Sequence, residues 1–189
     1  MPTTFTNQAT LSYNNQSIPS NVVTGVLTEV LSVSKTAIPA AYQNGDTITY
    51  AVQLVNSGTA ALTGLTLTDN LGAYTPAAGT AAVVPMTYQS DTLRYYRNGI
   101  LQATPTIAAT SPLTVTGLSI TAGGNTTLMY AVKTNQFTPY GAEESVTNTA
   151  TVTGGGLAAP LTAEATVNAD PAPDLSVIKS MCPTTVTEA

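Results

Sequence analysis

Histidine and tryptophan are absent from this chain of 189 residues, and cysteine occurs once, as Cys182. Histidine is the commonest general base and metal ligand in proteins, so its absence removes most familiar catalytic and metal sites. One cysteine excludes an internal disulfide and any metal site built from several thiolates. Neither a GxSxG motif nor a pair of carboxylates at catalytic spacing compensates for these absences. We therefore expect no enzymatic activity and no cofactor.

Charge is scarce as well. Charged residues make up 8% of the chain, where about a quarter is typical of globular proteins. The net charge is -5 and the five basic residues are scattered, so no basic patch is present to bind nucleic-acid phosphates. No apolar run approaches the ~20 residues of a membrane-spanning helix. The opening MPTTFTNQ also lacks the basic and apolar regions of a secretion signal. We predict neither a nucleic-acid partner nor a membrane span.

The residues that are abundant indicate an all-β protein. Threonine, valine and leucine are frequent, and glycine and proline punctuate the chain. Apolar and polar residues alternate in DTITYAVQLVN (46–56) and in several other stretches, as expected of strands with one buried face. Asn98-Gly99, between two such stretches, predicts a hairpin. At least eight strands and no helical period predict an Ig-like antiparallel β-sandwich, with extra N-terminal strands and a C-terminal extended strand.

The two ends of the chain repeat parts of its middle. FTNQATLSY (5–13) is like VTNTATVTG (146–154), and LSVIKS (175–180) is like LSVSKT (31–36). The chain therefore contains one complete unit and a partial copy on each side. We divide it into an N-terminal strand pair (1–30), an Ig-like sandwich (31–168), and a Pro-rich linker followed by the first strand of a next repeat or a donor strand (169–189).

Three polar residues are predicted to face the core. Lys35 lies on the same face of its strand as Leu31 and Val33. The same two-residue alternation places Asp69 and Asn148 on the apolar faces of LTLTD and VTNTATV. Isolated buried charges are costly unless they are paired, so these three side chains are expected to meet.

Two interpretations of this trio remain open. In the first, burial lowers the lysine pKa, the neutral amine attacks the Asn148 amide, and Asp69 moves the proton, so that an intramolecular isopeptide bond forms. In the second, Lys35 reaches solvent at a strand end, Asp69 caps a turn, and Asn148 bonds to backbone. Loss of one ammonia from the intact mass distinguishes them.

The stretch 31–72 resembles the opening of the bacterial and archaeal surface repeat catalogued as domain of unknown function eleven. Its hallmarks here are a strand ending in Lys-Thr, the GDTITY stretch, the NSGTA turn and a strand ending in Thr-Asp, with VTNTATV closing the unit. This resemblance implies an Ig-like module of surface stalks, adhesive arrays or filaments. Some spore-surface appendage proteins are similar and also lack a signal. The implied location is extracellular, on the cell or spore surface.

The partial copies favour self-assembly. A lone strand cannot satisfy its backbone or bury its apolar face, so one subunit is expected to complete the next by strand addition, head to tail, into a filament. The candidate assembly residues lie at the two ends of the chain: Asn7, Leu175, Val177, Lys179 and Cys182. Cys182 is interpreted either as an intermolecular disulfide or as an unpaired thiol. The N-terminal strands are alternatively expected to extend the sandwich of their own chain.

Other roles compete with the filament. The chain is alternatively an adhesin or stalk repeat of a larger surface protein, binding a host or cell-surface ligand through exposed aromatics. Tyr95, Tyr96 and Tyr140 are the candidates for that contact.

Calcium binding is another role that the acidic residues permit. Its candidates are Asp46, Asp69 and the Asp170 to Asp174 stretch, although no loop has the ligand spacing of an EF-hand. We predict no metal site.

Overall fold

The computed structural model describes residues 3–27, 29–77, 79–141 and 143–170. These ranges contain sixteen strands and no helix, and thus no helix long and apolar enough to cross a membrane. The strands are β1 (Thr3–Asn7), β2 (Thr10–Tyr13), β3 (Gln16–Pro19), β4 (Val23–Leu27), β5 (Leu31–Ile38), β6 (Ala41–Tyr42), β7 (Thr47–Asn56), β8 (Leu62–Asp69), β9 (Met86–Tyr88), β10 (Arg94–Arg97), β11 (Ile100–Leu101), β12 (Thr106–Thr110), β13 (Leu113–Ile120), β14 (Asn125–Thr134), β15 (Ser145–Gly154) and β16 (Leu161–Ala169).

Two six-stranded sheets form the sandwich. The first has the order β11-β10-β14-β7-β5, with β9 also paired to β14. The second has the order β12-β13-β8-β15-β16-β6. All pairings are antiparallel except the short parallel contact between β16 and β6. The predicted Ig-like β-sandwich is confirmed.

The core lies between the two sheets and follows the alternation in the sequence. In β7, every second residue is fully buried: Ile48, Tyr50, Val52 and Leu54. The paired strand β14 shows the same alternation, and β13 of the other sheet shows it with one interruption at Gly117. Valine, leucine, isoleucine and tyrosine supply most of the core, consistent with the preference of β-branched and aromatic residues for strands.

The predicted Asn98-Gly99 hairpin is confirmed. It joins β10 to β11, and both turn residues have positive φ angles, 47° and 77°, as a two-residue hairpin turn requires. Tyr95, however, was wrongly predicted to be exposed. It is 6% exposed because it lies on the inward face of β10, and its hydroxyl donates to the Ser119 carbonyl oxygen at 3.0 Å. Tyr96 points the other way and is partly exposed.

Residues 3–27 form a β-ribbon that pairs with itself. β1 pairs with β4 and β2 with β3, and the chain reverses at Asn14 and Asn15, which have φ angles of 48° and 60°. Neither pair is hydrogen-bonded into a sheet of the sandwich in the described ranges. The interpretation that these strands extend the sandwich of their own chain is therefore wrong.

The ribbon exposes much of its apolar surface. Its large apolar side chains are between 55% and 75% exposed: Phe5, Leu11, Tyr13, Ile18, Val22, Val23 and Val26. Leu11 lies opposite Ile18 on one face of the β2–β3 pair, and Ser12 lies opposite Ser17 on the other. The ribbon is thus amphipathic, with apolar groups that the described part of the chain leaves uncovered.

Candidate site between the two sheets

Three strands bring Lys35, Asp69 and Asn148 into the core. Lys35 lies in β5 of the first sheet, while Asp69 ends β8 and Asn148 lies in β15 of the second. Asp69 is paired with Ala150 in β15, so Asn148 lies two residues away on the same face. Asp69 and Asn148 are 0% exposed and Lys35 is 7% exposed. The structure thus buries all three residues, as the alternation predicts.

Lys35 and Asp69 form a buried ion pair. The Lys35 Nζ lies 2.5 Å from the Asp69 Oδ2, and neither side chain is exposed. The Nζ also lies 4.6 Å from the centre of the Tyr50 ring, a distance suited to a cation–π contact. The predicted alternative in which Lys35 reaches solvent is therefore wrong.

Two tyrosines complete the wall of the site. Tyr50 in β7 is directly paired with Tyr130 in β14, and their ring centres are 6.0 Å apart. The Tyr130 hydroxyl donates to the Asp69 Oδ2, the same oxygen that contacts Lys35. Sequence reasoning missed Tyr130, although the alternation of NTTLMYAVKT would have placed it on the inward face.

The turn after β8 holds both Asp69 and Asn148. The Leu71 amide donates to the Asp69 Oδ1 at 3.0 Å, and the Gly72 amide donates to the Asn148 Oδ1 at 3.1 Å. The Asp69 capping contact and the Asn148 backbone contact of the second interpretation are thus both present. Asn70 ties the turn to β15, because its Oδ1 accepts both the Gly72 amide, which it shares with Asn148, at 2.9 Å and the Thr149 amide at 3.0 Å.

Glycine is required at position 72. Its φ angle is +72°, a conformation that L side chains rarely adopt, and an added Cβ would lie 2.4 Å from the Val146 Cγ1 and 2.9 Å from the Met86 Cε. Glycine therefore suits the turn from which this backbone amide donates to the Asn148 Oδ1. This glycine follows the Thr-Asp stretch in the sequence but was not singled out as a site residue.

The other end of the Asn148 amide is unsatisfied. Its Nδ2 is buried and has no hydrogen-bond partner among the described residues. A buried polar group without a partner costs about 1–3 kcal/mol, and native proteins have few of them. The Asn148 amide is thus held through its oxygen, while its nitrogen is left unbonded.

Burial changes the ionisation of this cluster. It lowers the pKa of Lys35 from its ordinary value of 10.5 to about 8, although the Asp69 carboxylate acts in the opposite direction. Burial and the nearby Asp69 raise the pKa of Tyr130 well above 10. Burial likewise raises the pKa of Tyr50, and the adjacent Asn148 amide offsets part of the rise, although no hydrogen bond of normal geometry joins them. Both tyrosines therefore stay protonated, and Lys35 loses its proton more readily than an exposed lysine.

The candidate assembly residues fall in different places. Asn7 is exposed in β1, opposite Val23. The remaining candidates lie outside the described residues: Leu175, Val177, Lys179 and Cys182.

The calcium candidates do not come together in the described residues. Asp46 accepts the Gln43 amide at 2.8 Å, and Asp69 is paired with Lys35. No group of three acidic, histidine or cysteine residues that could hold a metal ion occurs in the described ranges. Asp174 lies outside them.

Comparisons with known proteins show the fold of this chain. The pilus backbone protein RrgB from Streptococcus pneumoniae has a TM-score of 0.51 and 11% identity, over 65% of this chain and 31% of that chain. A variant of BcpA, the major pilin of Bacillus cereus, has a TM-score of 0.51 and 13% identity, over 87% and 48%. The N-terminal domain of the Streptococcus gordonii adhesin Sgo0707 has a TM-score of 0.52 and 16% identity, over 78% and 35%.

These matches show a sandwich of the type found in pilins and a surface adhesin. This chain spans between about a third and a half of the length of these three structures. No family model matches the sequence, and no curated protein matches it at a significant level. The resemblance to domain of unknown function eleven therefore stays a prediction.

Proposed function

We propose that this chain is a structural subunit of a filament on a bacterial cell or spore surface, and that an isopeptide bond between Lys35 and Asn148 ties its sandwich together. One observation carries the proposal. A buried lysine faces an aspartate beside an asparagine whose amide nitrogen is unbonded, within a sandwich like those of pilins. Membership of domain of unknown function eleven belongs to the same proposal.

The bond forms without any added reagent. Lys35 passes a proton from Nζ to the Asp69 Oδ2, and the neutral amine attacks the Asn148 carbonyl carbon. A new carbon–nitrogen bond to Nζ replaces the bond to Nδ2. The proton on Asp69 goes to Nδ2, which leaves as ammonia, and Asp69 then takes up the second proton that Nζ loses as it becomes an amide nitrogen. Amine and primary amide thus become a secondary amide and ammonia, with no change of oxidation state.

The contacts around Asn148 favour this reaction over a permanent ion pair. The Gly72 amide donates to the Asn148 Oδ1, so it stabilises the negative charge that develops on that oxygen during attack. The nitrogen that must leave has no hydrogen-bond partner among the described residues. The lowered pKa of Lys35, about 8, makes the neutral amine accessible near neutral pH.

The assembly part of the proposal rests on the two ends. The ribbon exposes apolar side chains, and the segment 175–180 repeats β5 in sequence. We infer that a second copy of this chain covers the ribbon. The sequence repeats favour this, because the ribbon and the segment 175–180 both repeat elements of the sandwich in sequence. We propose head-to-tail strand addition, with residues 1–30 and 169–189 as the connecting segments. Asn7 lies in the first, and Leu175, Val177, Lys179 and Cys182 in the second.

Intact-mass spectrometry of denatured protein tests the bond. We expect the wild-type chain to be lighter than its sequence mass by one ammonia, and Lys35→Ala to have its full sequence mass. Lys133→Ala is the matched control, because Lys133 is exposed and should leave the ammonia loss intact. Full sequence mass in the wild type would reject the bond.

Negative-stain electron microscopy of the purified chain tests the assembly. We expect filaments from the wild type, and monomers from a chain ending at Ala169 and from Leu11→Asp in the ribbon. Ser12→Asp is the control, because it adds the same charge on the opposite face. If the chain ending at Ala169 still formed filaments, the C-terminal segment would not be needed for assembly.

A second function is an adhesin or stalk module. It is favoured by the likeness to the Sgo0707 domain, and by Tyr140, which is 49% exposed, with Tyr96 as a second candidate. Monomers at every concentration, together with saturable binding to host protein or glycan, would support this function over the filament.

A further inference from the structure

The Asp69 carboxylate accepts a hydrogen bond from Tyr130 as well as from Lys35. Tyr130 is not one of the three residues Lys35, Asp69 and Asn148 that were predicted from the sequence. Tyr130 lies in the middle of β14 and is 1% exposed. Its hydroxyl donates to the Asp69 Oδ2, which the Lys35 Nζ approaches to 2.5 Å. The other oxygen, Oδ1, accepts the Leu71 amide. The carboxylate is thus held at both oxygens.

That arrangement matters for the proton transfers. Asp69 must take a proton from Lys35 and give one to the leaving nitrogen of Asn148, and both steps need the Oδ2 to stay within reach of Nζ. The Leu71 contact alone leaves the Oδ2 free to tilt. The Tyr130 hydroxyl fixes the Oδ2 from the first sheet, the sheet that also carries Lys35.

We propose that Tyr130 is a positioning residue for the reaction between Lys35 and Asn148: its hydroxyl holds the Asp69 Oδ2 in line between the lysine amine and the asparagine amide. This inference rests on the proposed isopeptide bond. The proton path is unchanged, from Nζ to Oδ2 to Nδ2, and Tyr130 neither gains nor loses a proton. Because burial keeps its pKa high, Tyr130 remains a donor throughout the ordinary pH range.

The role has a signature in the pH dependence of the reaction. A hydroxyl that donates to a carboxylate favours its ionised form. Removing the hydroxyl should therefore slow the reaction most on the acid side of its rate profile. The titratable groups that face Asp69 or act on its partners in the described residues are Lys35 in β5, Tyr42 in β6, Tyr50 in β7, Tyr130 in β14 and exposed Glu164 in β16.

The test follows bond formation in the full chain during refolding. Protein kept unfolded in urea is diluted into buffers from acid to mildly alkaline pH, and ammonia loss is followed by intact mass. We expect Tyr130→Phe to react about tenfold more slowly, as expected for one lost hydrogen bond to a charged group. The acid side of its rate profile should move to higher pH. Tyr95→Phe also removes a buried hydroxyl, bonded to Ser119, and should react like the wild type.

Two outcomes distinguish the role of Tyr130 from the isopeptide bond on which it depends. If the wild type loses ammonia and Tyr130→Phe matches Tyr95→Phe in rate and profile, the role of Tyr130 is rejected and the bond stands. If the wild type never loses ammonia, both are rejected.

A second probe covers the case in which Tyr130→Phe does not refold, as judged by circular dichroism. A ring-fluorinated tyrosine at position 130 keeps the shape and donates more strongly. It should move the acid side to lower pH, and an unmoved profile would reject the role.

Discussion

Lys35 is the residue on which the proposed isopeptide bond depends. Its side chain is removed from water. Among the described residues, the charged ammonium is stabilised mainly by Asp69 and the face of Tyr50, with a smaller contribution from Glu164. Burial has the larger effect, and the pKa falls to about 8. An amine of this kind is a better nucleophile at neutral pH than an exposed lysine.

The lowered pKa gives a pH dependence to the stability of a chain that cannot form the bond. In Asn148→Ala, folded Lys35 loses its proton near pH 8, while the unfolded lysine keeps it to about 10.5. Between these values the unfolded state binds more protons, so the free energy of unfolding should rise with pH. Above about pH 10 the buried tyrosines oppose the rise, because unfolded tyrosines ionise there. Urea unfolding at a series of pH values measures the slope.

The control is the same variant with Lys35→Met added. It lacks the titrating group and should show no rise in that window. A flat or falling stability in Asn148→Ala would mean that Lys35 keeps its ordinary pKa in the folded chain.

Strand alternation accounts for what could be predicted at single residues. Lys35, Asp69 and Asn148 each interrupt an apolar face at a two-residue spacing, and this local signal placed them in the core. Tyr130 carries no such signal, because a tyrosine on an inward face is ordinary. Its contact with Asp69 depends on the packing of β14 against β8, which no local pattern encodes. Tyr95 was mistaken for an exposed residue for a related reason: adjacent tyrosines do not reveal which of them faces inward.

At the scale of elements, the site joins strands that are far apart in the chain. β5 begins the sandwich and β15 is its last strand but one, and they lie in different sheets. The proposed covalent bond between them would close a loop of more than a hundred residues. Closing a loop of that size removes much of the conformational freedom of the unfolded chain.

This closure predicts a large stability difference. By analogy with disulfides that close loops of about 100 residues, Asn148→Ala should lower the free energy of unfolding by about 4–5 kcal/mol. Urea unfolding near neutral pH measures it, with Lys133→Ala expected to differ little from the wild type. A difference below about 1 kcal/mol would mean that no bond had formed.

The ribbon is the element that the sequence left most uncertain. Its strands were recognisable, but the pattern did not say whether they would pair with the sandwich or with each other. The structure pairs them with each other, aided by the local Asn14-Asn15 turn. Phe5 lies over Gly25, where an added Cβ would come within 2.4 Å of the ring, so an aromatic side chain covers a glycine in the opposite strand.

At the scale of the whole molecule, the low charge content decides how copies approach one another. The chain carries a net charge of -5 at neutral pH, and its isoelectric point is near 4.3. With so few charges, electrostatic repulsion between copies is weak and is lost as the pH approaches that value.

We expect lateral association to increase sharply as the pH is lowered toward 4.3. Light scattering across that range measures the effect, and electron microscopy distinguishes bundled filaments from amorphous aggregate. A variant with two exposed threonines of the sandwich changed to aspartate is the control and should shift the onset to lower pH. If lateral association does not depend on pH, its cause would be the apolar surface of the ribbon and not the loss of charge repulsion.

The connection between β5 and β15 also has a mechanical consequence. When the two ends of the chain are pulled apart, the force is applied to the sandwich at β5 and at β16, its first and last strands. With the proposed bond formed, tension passes from Lys35 directly to Asn148 and bypasses the strands between them. The bypassed stretch would otherwise release on the order of 400 Å of slack when it unravels. A fibre of such subunits would extend much less under load, because only the stretches outside the bond, such as residues 149–169, could unravel.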